Sequence, residues 1–185
     1  MRFEEWLEEQ AAAGPFEANM WGDCGEEYLK KALELFLDWK APPSGIPDLV
    51  GRALENIAGN IGTALWRSDL GSAGRKAVIG AAPQFLAQVA SSSTVPPDAV
   101  VSFWEELLDW QSDSEDPDGL KGEAFGALSR QLNLDGPLCR ASALRGLRAL
   151  RSKSARQMLM SFARDSPDAA LSALALELSG GSEWS

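Results

Sequence analysis

Apolar side chains recur every three to four residues along most of the chain, and short runs of Gly, Pro, Ser and Asp interrupt them. That period gathers them on one face of an α-helix, whereas a half-buried strand would alternate at every second residue. Phe3, Trp6 and Leu7 share a face on a first helix through about Ala13, ended by Gly14-Pro15. Asp23 can cap a second helix, with Glu26 as its reciprocal partner, and Tyr28, Leu29, Ala32, Leu33, Leu35, Phe36 and Trp39 make one side of it apolar. Residues 41 to 45 break it. A third helix starts near Pro47 with Leu49, Val50, Ala53, Leu54, Ile57, Ile61 and Leu65 inward. Gly59 and Gly62 inside it predict either close packing or a break near Asn60.

The same period continues downstream. Arg75 to Ala90 is a helix with Val78, Ile79, Ala82, Phe85, Leu86 and Val89 inward, and Pro83 in its middle predicts a kink. A loop at 91–97 is the candidate hinge between an N-terminal and a C-terminal half. Helices follow from Pro97, with Val100, Val101, Phe103, Trp104, Leu107, Leu108 and Trp110 as apolar positions, and from Asp118 to Leu132, burying Leu120, Ala124, Phe125 and Leu128. From Pro137, Cys139, Ala143, Leu147 and Leu150 share a face, with Arg140, Arg145, Arg148 and Arg151 on the remaining arc. The next helix repeats the device with Ala155, Met158, Leu159 and Phe162 inside and Lys153, Arg156 and Arg164 outside. Ser166-Pro167 is read as a cap plus first-turn proline, opening a last helix that Gly180-Gly181 ends. Period-two alternation never lasts more than a few residues, so no strand is predicted.

An alanine-hydrophobe step recurs at Ala32-Leu33, Ala53-Leu54, Ala77-Val78, Ala124-Phe125 and Ala143-Leu144, at intervals between 19 and 47 residues, which is no fixed period. The segment from about Leu120 to Ser179 resembles HEAT-type helical hairpins. The resemblance implies an all-α fold of about eight or nine helices, an irregular right-handed stack of antiparallel pairs that binds another macromolecule. It carries no catalytic residues.

Composition adds a domain count and an address. The 185 residues suit one domain, 1–185. With 45% hydrophobic and 24% charged residues and seven tryptophans, the chain reads as globular rather than disordered. No apolar run approaches the ~18 residues of a membrane span. The acidic N-terminus lacks the basic start and apolar centre of a secretory signal, so a cytoplasmic protein is expected. Cys24 and Cys139 lie far apart with no CxxC spacing and are read as reduced core thiols.

Charge changes the picture more. The net charge of −10 is uneven: residues 98–118 carry eight acidic side chains and no basic one, while residues 140–164 carry seven basic and no acidic ones. The second band could meet phosphates, but no aromatic residue is interleaved with Arg140, Arg145, Arg148, Arg151, Lys153 and Arg156 to stack bases. Its plainer use is pairing with the protein's own acidic segments.

Histidine is absent, which removes the usual neutral-pH base, the Ser-His and Cys-His nucleophile pairs and the commonest zinc ligand. Setting Gly119 at the sixth position of a calcium loop puts Phe125 where the bidentate glutamate belongs, so the acidic loop reads as solvated and capping. Gly71 to Lys76 lacks the GxxxxGK[ST] spacing and reads as a helix start. No cofactor and no metal is implied.

The sequence therefore favours a non-enzymatic protein-binding helical-repeat protein with an acidic surface for a basic protein partner, on the pattern of an immunity or inhibitor protein that neutralises a toxin. A nucleic-acid-associated repeat using 140–164 and a histidine-free enzyme are the alternatives. Candidate contact residues are Trp21 and Trp110 as exposed aromatic anchors, Asp23, Asp113, Glu115 and Asp116 as acidic surround, and Arg145 and Arg148 on the basic face.

Overall fold

The computed structural model describes residues 25–39, 47–67, 69–92, 95–109, 116, 118–180 and 184, without the side chains of 47–50, 52 and 53. The expected helix at 3–13 and the positions of Leu49, Val50 and Ala53 lie outside that description. The described residues are all helical or in connections, with no strand among them. Eight helices follow one another: α1 Gly25–Leu37, α2 Pro47–Leu65, α3 Ser72–Ala90, α4 Pro97–Leu108, α5 Leu120–Leu132, α6 Pro137–Ala149, α7 Lys153–Asp165 and α8 Ala169–Ser179.

Helices with one apolar stripe must share it with neighbours. Here the main packing skips one element. α1 rests on α3 and α3 on α5, while α2 rests on α4, α4 on α6 and α6 on α8. Contacts between α1 and α2, α3 and α4, α5 and α6, and α7 and α8 tie the two sets together. The predicted inward positions supply the core: Leu54, Ile57, Ile61, Val78, Phe85, Phe103, Trp104 and Leu107 are fully buried, and one cluster runs from Leu29 to Ala175. At its centre the Phe36 and Phe85 rings stack 4.4 Å apart, and Trp39 meets Phe85 edge-on at 5.3 Å. In the 91–97 connection, Val95 is buried and Pro96 lies against Gly51, where a Cβ would come within 2.9 Å of the proline ring.

α6 is the most enclosed helix, packing on α3, α4, α5, α7 and α8. Ser142, Leu144 and Gly146 are buried in addition to the predicted face. A chain of hydrogen bonds fixes its register: Trp104 Nε1 donates to Gln131 Oε1 (2.7 Å), and Gln131 Nε2 donates to the Cys139 carbonyl (2.8 Å). Both amide ends of a buried glutamine are thus satisfied, across α4, α5 and α6.

α3 is helical on both sides of the buried Pro83. Two local expectations change. α2 runs through Asn60 without a break, and the space around Gly59 is open although Gly62 is buried. The cap of α8 is Asp168 rather than Ser166: its carboxylate accepts from the Ala170 and Leu171 amides at 3.0 and 3.1 Å, and an ionised cap outcompetes a hydroxyl at the positive end of the helix.

Candidate functional site

Of the acidic segment 98–118, residues 98–108 lie in α4, and Asp116 and Asp118 lie just before α5. Ala99, Val100, Phe103, Trp104, Leu107 and Leu108 take the inner face of α4, which turns Asp98, Glu105, Glu106 and Asp109 toward the outside. The neighbouring α2 brings the exposed Glu55 within electrostatic reach. Burial pushes the Glu106 carboxyl above the usual carboxylate range, and the negative charges of Asp109, Glu55 and Glu105 raise it further. Position compounds this. Glu105 and Glu106 stand in the last turn of α4, with Asp109 as its C-terminal cap residue and no basic side chain in that turn. The carboxyl end of a helix carries partial negative charge and favours cations, so these residues occupy the least favourable place on α4 for their sign.

Among the described residues, Arg145 reaches the group from elsewhere in the chain. Arg145 Nη1 lies 3.1 Å from Glu105 Oε2, joining the basic band to the acidic segment with both side chains part-exposed. Other members of the band are also committed internally. Arg140 Nε donates to the Leu134 carbonyl at 3.0 Å, and Arg156 Nε donates to the Ser179 carbonyl at the end of α8 at 3.1 Å. Arg164 pairs with Asp165 at 2.7 Å. The Arg148 guanidinium lies 5.0 Å from the centre of the Trp184 ring, a cation–π contact. Exposed cations on this side include Lys153 and Arg151, the latter with φ 49° just beyond the end of α6.

The predicted contact residues therefore separate. Trp21, Asp23, Trp110, Asp113 and Glu115 lie outside the described residues. Asp116 caps α5, accepting from the Leu120 and Lys121 amides at 2.6 and 3.0 Å. Asp118 is not simply solvated: it pairs with Arg75, whose guanidinium is buried and also donates to the Leu65 carbonyl at 3.2 Å. Arg145 borders the α2–α4 carboxylates, and Arg148 serves the C-terminal tryptophan. Among the described residues no group of three or more His, Cys, Asp or Glu could hold a metal ion. Cys139 is a buried free thiol, its pKa raised by burial against the opposing pull of Gln131 and Arg140.

Glu55, Glu106 and Arg75 were not among the sequence candidates. The first two meet only through the α2–α4 packing, although the acidic last turn of α4 was a readable signal. Arg75 looked like an ordinary cation in a helix start. No protein-family model, no curated protein and no solved structure matches the chain.

Proposed function

We propose that this is a non-enzymatic, protein-binding helical-repeat protein whose acidic α2–α4 face docks on a basic protein, as an immunity or inhibitor protein does in neutralising a toxin. One observation carries the reading: Glu105, Glu106 and Asp109 crowd the negative end of α4 with no basic side chain in that turn, and Glu55 of α2 lies within electrostatic reach of Glu106. Lysines and arginines of a partner would replace that repulsion with charge-assisted hydrogen bonds, and the field of a −10 chain would steer the encounter. The skip-one packing of the helices supports the HEAT-like description, in which a row of helices offers a surface rather than a reactive cleft. A cytoplasmic setting belongs to the same proposal. The nucleic-acid alternative loses ground because Arg140, Arg145, Arg156 and Arg164 already bond within the chain.

The test is capture from a lysate of the source cells on the wild-type protein and on a Glu55→Lys, Glu106→Lys, Asp109→Lys variant. The expected result is a basic protein that salt releases, that binds the variant at least about 30-fold more weakly, and whose own activity the wild-type chain blocks. A captured protein held equally by both baits contradicts the reading.

A further inference from the structure

Six of the seven connections between the eight described helices carry a Gly or a Pro. The exception is Leu150-Arg151-Ser152, between α6 and α7. Where other described joints take a left-handed backbone, Gly119 (φ 70°) and Gly136 (φ 102°) supply it; here Arg151 does, at φ 49°. Helices commonly end on a left-handed residue, and glycine is usual there because a side chain at that φ crowds the neighbouring carbonyl. The turn that folds α7 back on α6 is therefore held by an unfavourable residue for its conformation. Nothing in the local sequence stops the helix either. From Leu147 to Ser166 the chain contains no Gly and no Pro, and Leu, Arg, Ser and Lys all have ordinary helix propensities.

Beyond that joint lies a unit that holds itself together. α7 and α8 pack chiefly on each other, and the other helix on which they principally rest is α6. Within the hairpin Ser172 Oγ donates to the Ala163 carbonyl, and Arg156 Nε donates to the Ser179 carbonyl at 3.1 Å. Ala155 and Leu159 of α7 and Leu171 and Ala175 of α8 are buried. The hairpin thus meets the rest of the fold through one packed interface and one hinge. That interface forms equally well on α6 of another copy, since every contact is reproduced, and only the hinge changes. With Arg151 in the right-handed region, α6 and α7 run on as a single helix from Pro137 to Asp165, about 43 Å long. Opening gives up the Ser152 cap on the Ala155 amide (3.2 Å) and releases the left-handed arginine.

We propose that the protein exchanges its α7–α8 hairpin between two copies, forming a swapped dimer with Arg151 as the hinge. The partner is a second copy of this chain, and the surface it fits is the flank of α6 that the chain's own hairpin covers in the closed state. The two states differ little beyond the hinge, so protein concentration sets their ratio. The inference does not depend on what the acidic face binds.

Full-length protein refolded from urea at about 100 μM is expected to elute partly as a species of twice the chain mass, read by light scattering. Exchange requires the hairpin to leave α6, so this dimer should persist on dilution to about 1 μM in the cold and revert to monomer on warming. Arg151→Gly accepts the left-handed turn and weakens the continuous helix, and is expected to raise the dimer dissociation constant at least about 30-fold. Arg151→Ala keeps the strained turn and favours the helix, and should leave that constant unchanged or lower it. A monomer throughout overturns the proposal. A dimer that separates at once on dilution is a surface contact and overturns it too, as does a dimer that responds alike to Arg151→Gly and Arg151→Ala.

Discussion

Gly146 and Gly59 are both glycines inside helices, and their surroundings give them opposite meanings. A Cβ at Gly146 would lie 2.6 Å from Leu128 Cδ2 and 2.7 Å from Trp104 Cβ, both on fully buried side chains, so α6 approaches α4 and α5 only because that atom is missing. Gly146→Ala is expected to cost about 1–3 kcal/mol by overpacking. At Gly59 nothing stands within 4 Å of the added atom, so Gly59→Ala should stabilise by about 0.5–1 kcal/mol through helix propensity alone. Urea unfolding of the two variants checks the pair of signs. Sequence period identified most inward residues, since Leu54, Ile57, Phe85, Phe103 and Leu147 are all buried as their spacing requires. It could not find Arg75, because an arginine is buried only where a carbonyl and a carboxylate meet it. Those partners, Leu65 and Asp118, come from 10 residues before it and 43 after it.

At the scale of the element, α4 is built against its own dipole. Its apolar stripe fixes which way it faces, and the acidic last turn then has no choice but to gather beside Glu55 of α2. Because the folded-state pKa of Glu106 lies above its unfolded value, its favourable contribution is complete below the usual glutamate range and is lost as pH rises through the folded pKa. At neutral pH the ionised carboxylate therefore opposes folding. Glu106→Gln should raise the melting temperature at pH 7 by about 1–2 °C, a small effect because the group is only partly desolvated and water screens the rest, and the gain should vanish near pH 4. An unchanged or lowered melting temperature at pH 7 would mean that the four carboxylates do not repel as described. Helix existence was legible in the sequence throughout the described chain; helix ends were less so. The start of α8 is the instructive case, where Ser166, Pro167 and Asp168 all resemble openings and only the hydrogen bonds of the Asp168 carboxylate decide among them.

For the molecule as a whole, the packing order is what periodicity could not supply. A stripe of apolar residues states that a helix has a covered face but not by which neighbour, and from α1 to α6 the principal neighbour lies two helices away, whereas α7 and α8 pack chiefly on each other. That order places Glu55 beside Glu106 and sets Arg145 on Glu105, so the separate acidic and basic bands of the sequence become partly one network. The part left over is an acidic face on α2 and α4. Backbone hydrogen exchange of the chain, alone and saturated with its captured partner, tests that face most directly. Slowed exchange confined to α2 around Glu55 and to α4 from Glu105 to Asp109, with α7 unaffected, is the predicted footprint. Protection centred instead on the arginine-bearing sides of α6 and α7 would contradict it.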